Sequence, residues 1–349
     1  MNALPRLDTT EEDDTMMNVA INGLGRIGRA TLKILKEHPM LNLVAVNDLI
    51  SADNLAYLLK FDSVYGRWDT ETAIHDKQLQ IGSRSCKVLN EREPAKLPWR
   101  ELNVALVFEC TGVFRKSEDL ARHVQAGAEY VILSAPAKGE DVPTVVHGVN
   151  SGTGKRVISC ASCTTNCITP VVEIMGRRIG IRKAVMTTIH AYTSTQAVVD
   201  SGKHNFRRGR AAAANLVPAT TGAAIATTRA LPEYKGKFDG LAVRVPVPIG
   251  SLADMVFLAS RPTSVEEIKG IFQEEASSQR YRDVVSVTED PIVSCDIIQQ
   301  SYASIVDVST IQVVDGDLVK IMSWYDNEWG YASQMVREAV ALARAVGQP

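Results

Sequence analysis

The sequence predicts an α/β unit with a doubly wound parallel sheet, followed by an α+β unit on a mixed or antiparallel sheet. Three observations carry this. Short apolar runs alternate with helical stretches up to residue 162. After Cys163 the composition shifts to longer β-rich runs. The chain has 349 residues, 45% hydrophobic and 22% charged, which is enough for two such units.

The elements follow in order. Residues 17–22 form a short apolar run that leads into Gly23-Leu24-Gly25-Arg26-Ile27-Gly28. A helix extends from there to Glu37, because Ile27, Ala30, Ile34 and Leu35 recur at helical spacing. His38-Pro39 stops it. A second apolar strand, 41–46, ends at Asn47-Asp48. Residues 51–60 read as a helix, 72–89 as small antiparallel strands, 104–110 as a buried strand, 117–125 as a helix and 130–133 as a strand. Beyond Cys163, the residues Ile168, Val171, Val172, Met175 and Ile179 predict a helix that Pro170 should bend. Strands are expected at 182–191, 240–246, 253–260, 305–308 and 318–324, with a helix at 265–275. Residues 329–346 close the chain as one amphipathic helix. The expected division is a disordered tail at 1–16, a first domain at 17–162 completed by the helix at 327–349, and a second domain at 163–326.

Lys+Arg (38) and Asp+Glu (40) nearly cancel, so no global field points to nucleic acid or an anionic membrane. No apolar run reaches the length of a membrane span. Residues 1–15 are acidic and unlike a secretory leader. Six cysteines in a chain of this length suggest reduced thiols in the cytoplasm rather than a disulfide framework.

A lone GxGxxG is weak evidence, but here it follows a strand, opens a helix and has Asp48 at the end of the next strand. That context predicts a Rossmann-type dinucleotide site. Glycines admit the pyrophosphate, and the helix N-terminus offers free N–H groups. Asp48 would accept from the adenosine ribose and repel a 2′-phosphate, which favours NAD.

Cys160, Cys163 and Cys167 cluster in Ser159-Cys160-Ala161-Ser162-Cys163-Thr164-Thr165-Asn166-Cys167. No fourth Cys or His lies nearby, so the run does not read as a metal site. Cys160 and Cys167 read as small buried hydrophobes. Cys163 begins the helix, where free N–H groups and the dipole stabilise a thiolate. It is therefore the nucleophile candidate. Six histidines could serve as its base, and the residues alone do not choose between them.

The choice comes from a resemblance. The run 162–167, the turn 22–29, His190-Ala191-Tyr192-Thr193-Ser194-Thr195-Gln196, Arg244-Val245-Pro246 and Trp324-Tyr325-Asp326-Asn327-Glu328-Trp329-Gly330-Tyr331 together resemble the motifs of phosphorylating glyceraldehyde-3-phosphate dehydrogenases, in the same order. The resemblance implies oxidation of an aldose phosphate with inorganic phosphate and NAD, through a thioester on Cys163. It implies that His190 is the base, ion-paired with the thiolate beforehand. It places Thr193, Thr195 and Arg244 on the substrate phosphate, and Ser162, Thr164, Thr221 and Gly222 on the attacking phosphate. It assigns Gly23, Gly25, Arg26, Ile27, Gly28, Asp48, Ser134, Asn327 and Tyr331 to the cofactor. It also implies a homotetramer, with residues 203–210 in a loop near a neighbouring subunit's cofactor. Cys160 stands where the family commonly has Asn, Ser201-Gly202 where many NAD-specific members have Leu-Pro, and Ile249-Gly250 where Asn-Val is usual.

Overall fold

The computed structural model describes residues 16–347. The expected tail lies, but for Met16, outside the described residues. The first unit runs β1 (Met17–Asn22), α1 (Arg26–Leu35), β2 (Leu41–Asn47), α2 (Ala52–Lys60) and a two-residue hairpin, β3 (Phe61–Asp62) and β4 (Gly66–Arg67). It continues with β5 (Thr72–His75), β6 (Gln78–Ile81), β7 (Arg84–Leu89), β8 (Leu106–Glu109), α3 (Ser117–Gln125), β9 (Tyr130–Leu133) and β10 (Val157–Ser159). The eight-stranded sheet has the order β10-β9-β8-β1-β2-β7-β6-β5. Its strands are parallel from β10 to β7, and β6 and β5 turn back antiparallel.

β1 is central and buried from Val19 to Asn22, as the apolar core Val19-Ala20-Ile21 requires. The strand order reverses where β1 lies between β2 and β8, so a crevice opens at their C-terminal ends. There Asn22 lies beside both Asn47 and Glu109.

The second unit runs α4 (Cys163–Arg178), β11 (Ile181–Ala191), β12 (Val217–Thr220), α5 (Ala223–Ala230), β13 (Phe238–Val245), β14 (Ser251–Ala259), α6 (Val265–Ser277), β15 (Val285–Thr288), β16 (Ser304–Val314), β17 (Leu318–Tyr325) and α7 (Trp329–Gly347). Its sheet, β12-β13-β11-β14-β17-β16-β15, is mixed: β11 pairs parallel with β13, β15 with β16, and the others antiparallel. Val171, Met175, Phe257, Phe272 and Ile321 meet in its core. α7 follows in sequence but packs on the first core, where Met335 and Val336 join Leu32, Leu35 and Phe108.

The predicted elements are all present, within a few residues at their ends, except that the strand expected at 305–308 extends to Val314 as β16. Sequence reading missed β10, β12, β15, α5 and the small hairpin. α1 ends at Leu35, two residues before the expected Glu37.

Candidate active site

Two clefts join into one groove across the sheet crevice. One is lined by Gly23, Asp48, Leu49, Arg92 and Phe114. The other is lined by Ser134, Ser162, Cys163, His190, Thr193, Asn327 and Tyr331. Gly25, Cys110 and Thr111 belong to both.

The glycine turn is built for an anion. Gly23 has φ +95°, and a Cβ there would lie 2.6 Å from Thr111 N. A Cβ on Gly28 would lie 1.9 Å from Gly23 O, so Gly28 lets α1 pack onto the turn. Gly25 differs: its Cβ would meet nothing within 4 Å, and no side chain caps α1. The first amides of α1 therefore face open groove, an arrangement that suits a pyrophosphate. Asp48 accepts from Leu24 N at 2.6 Å and Ile50 N at 3.1 Å, which fixes its carboxylate at the far end. Arg26 lines the cleft, as expected of a residue of the turn, and its side chain is anchored. It donates to Asp62 at 2.5 Å and Glu328 at 2.8 Å, which holds the guanidinium beside the turn.

At the other end, Cys163 is the first residue of α4, and Ser162 is the N-cap, accepting from Thr165 N at 3.1 Å. The preceding turn is strained. Ala161 has φ +54°, held by Tyr331 Oη donating to its carbonyl (3.1 Å) and by Asn166 Nδ2 donating to Cys160 O (2.8 Å). The strain presents Sγ to the groove, 3.4 Å from His190 Nε2. His190 is the penultimate residue of β11, and parallel pairing sets Arg244 of β13 directly beside it. Arg244 Nη1 donates to His190 Nδ1 (2.6 Å) and to Ala191 O (3.0 Å).

Burial pushes the Cys163 thiol up, opposed by the Arg244 charge and by the Thr164 N–H and hydroxyl. Burial and Arg244 push His190 down to about 3. An imidazolium is thus disfavoured while Arg244 is unengaged, so the ion pair expected beforehand requires an anion to take up that charge. Cys160 and Cys167 are buried, with thiols pushed up, the latter to about 12. Both fit the reading as packing residues.

Thr193 and Thr195 share a hydroxyl contact of 2.9 Å beside the cleft. Thr164 is buried, its hydroxyl 2.9 Å from Tyr325 Oη. Thr221 and Gly222 stand at the start of α5 and are not part of the cleft lining; Thr221 Oγ1 accepts from Ala223 N. Among the described residues no group of three or more His, Cys, Asp or Glu is placed to hold a metal.

Residues 17–117 match the family model for the glyceraldehyde 3-phosphate dehydrogenase NAD binding domain, and residues 162–327 match the model for its C-terminal domain. The chain belongs to the glyceraldehyde-3-phosphate dehydrogenase family. It is 46% identical to the glyceraldehyde-3-phosphate dehydrogenase of Clostridium pasteurianum over 338 residues, covering 94% of this chain and 99% of that one. It is 44% identical to that of Streptomyces coelicolor, covering 92% and 96%, and 43% identical to that of Geobacillus stearothermophilus, covering 94% and 98%.

Within this dehydrogenase frame the sequence reading overlooked three groups. Arg208 donates to Thr195 Oγ1 at 3.1 Å, which brings a second cation to the site. Its only signal in the sequence is the basic run Arg207-Arg208-Gly209-Arg210, in the loop expected near a neighbouring subunit. Arg92 enters the Asp48 cleft from the segment after β7. Ser251, at the start of β14, accepts from Ala191 N and bonds Asn327.

Proposed function

We infer that this chain oxidises D-glyceraldehyde 3-phosphate, with inorganic phosphate, to 1,3-bisphosphoglycerate. The observation that carries this is a helix-start thiol 3.4 Å from an imidazole with an arginine behind it, in a groove continuous with a dinucleotide crevice. NAD, when bound, supplies a hydride acceptor beside Cys163. The glycine turn and α1 amides would hold its pyrophosphate, Asp48 its adenosine ribose, and Asn327, Tyr331 and Ser134 its nicotinamide end.

The substrate phosphate engages Arg244, with Thr193, Thr195 and Arg208. Once Arg244 is drawn off, His190 Nδ1 can carry a proton donated to Ala191 O, 2.7 Å away. The Cys163 thiolate attacks the aldehyde carbon, and the carbonyl oxygen takes the Nε2 proton, giving a thiohemiacetal. Nε2 is then a free base and removes the hydroxyl proton as hydride leaves the carbon. The Cys163 N–H at the head of α4 supports the developing oxyanion. Phosphate, received by Ser162, Thr164, Thr221 and Gly222, attacks the thioester; a C–O bond forms and the C–S bond breaks, restoring the thiolate.

The supporting structure is read as a domain at 17–162 completed by 327–349 and a catalytic domain at 163–326, because α7 buries its apolar face on the first core. Val198, Val199, Phe206 and Leu216 are largely exposed in the loop region after His190, which supports burial against further copies in a homotetramer. A reactive thiol and free cysteines suit a reducing cytoplasm.

The test is NADH formation from this aldehyde with and without phosphate. Turnover should require phosphate. Cys163→Ser should lower it by roughly 10³-fold or more, and His190→Asn by about 10²–10⁴-fold. A fully active Cys163→Ser protein would refute the thioester.

A further inference from the structure

Asn327 faces the groove, and its backbone neighbourhood is fixed. The adjacent Asp326 carboxylate accepts from Tyr65 Oη, Gln299 N, Glu328 N and Trp329 N. What remains free is rotation of the Asn327 amide. Ser251 removes that freedom. Its Oγ lies 3.1 Å from Ala191 N and 3.0 Å from Asn327 Oδ1, and the residue is almost wholly buried. A backbone N–H can only donate, so Ser251 accepts from Ala191 and its single proton goes to Asn327. That proton needs an acceptor. Asn327 therefore turns its carbonyl oxygen to Ser251 and its NH2 group toward the groove, where among the described residues it donates to no protein acceptor.

We propose that Ser251 is a positioning residue: one hydroxyl aims the donor end of Asn327 into the groove and ties that anchor to the strand end carrying His190. The proposal rests on the reading that Asn327 meets the nicotinamide. The ligand group it selects is a carbonyl oxygen, such as that of the carboxamide. A flipped amide would set oxygen against oxygen there. Within the unusual Ile249-Gly250 pair, the glycine suits this turn. Gly250 has φ +85°, and a Cβ on it would lie 2.3 Å from Ser294 O, so glycine permits the turn that delivers Ser251. Ala191, Ser251 and Asn327 then form one chain, from the base's strand to the cofactor's anchor.

The experiment is calorimetric titration of the purified protein with NAD and with ADP-ribose, which lacks the nicotinamide. Wild type, Ser251→Ala, Asn327→Ala and the double variant are compared. Ser251→Ala should weaken NAD about tenfold, a scale set by one misdirected hydrogen bond. ADP-ribose affinity should stay within about twofold, since that ligand does not reach Asn327. The double variant should bind NAD no more weakly than Asn327→Ala alone. Equal loss for both ligands, no loss for either, or losses that multiply in the double variant would each overturn the proposal. If Asn327→Ala itself leaves the ratio of NAD to ADP-ribose affinity unchanged, the assignment of Asn327 fails, and the proposal fails with it for that separate reason.

Discussion

Burial and the neighbouring guanidinium push the His190 imidazole down to about 3, while the unfolded side chain titrates near 6.5. Between those values the unfolded chain binds a proton that the folded chain refuses. Stability is therefore full above about pH 6.5 and falls as pH drops toward 3, by at most about 1.4 kcal/mol per pH unit from this group. His190→Asn should flatten that part of the slope. Urea unfolding midpoints of wild type and variant, compared at pH 7.5 and 5, should draw apart, with wild type losing more. A constant difference would mean that His190 is not held neutral. At this scale the nucleophile was legible, because Cys163 is marked by its position at a helix start. Arg208 and Ser251 were not. Their roles depend on Thr195 and Asn327, which only the fold brings within reach.

The β1–α1 turn separates two uses of glycine. Gly28→Ala puts a Cβ 1.9 Å from Gly23 O and should destabilise the protein by about 3 kcal/mol or more, read from thermal or denaturant unfolding. Gly25→Ala meets no atom within 4 Å, so the fold should hold while NAD affinity falls. Unchanged NAD affinity in a folded Gly25→Ala protein would contradict a pyrophosphate at that spot. The turn was readable because glycine spacing and helical periodicity are local. The missed elements carry weak local signals. β12 contains Pro218 and lies at the sheet edge, where a missing N–H is tolerated. β15 is a short strand at the other edge, β10 has only three residues, and α5 has eight.

For the whole molecule, Phe206 is 86% exposed in the single chain, with Val198 and Val199 also bare. Phe206→Glu should leave the protomer's stability within about 0.5 kcal/mol, since little of the side chain is buried there. It should lower the mass of the proposed homotetramer in sedimentation velocity. A wild-type chain that sediments as a monomer would remove the homotetramer. Most strands and helices of the first unit, the glycine turn with Asp48, and Cys163 at the head of its helix were legible in the sequence, because each is written in residues close along the chain. Family resemblance supplied His190 and Arg244. Folding alone brought α7 back to the first core, set Arg244 against His190 by parallel pairing, engaged Arg26 with Asp62 and Glu328, and joined the base's strand to Asn327 through one serine. Those contacts join residues tens to hundreds of positions apart, and their energy comes from packing and satisfied polar groups that exist only once both sheets have formed.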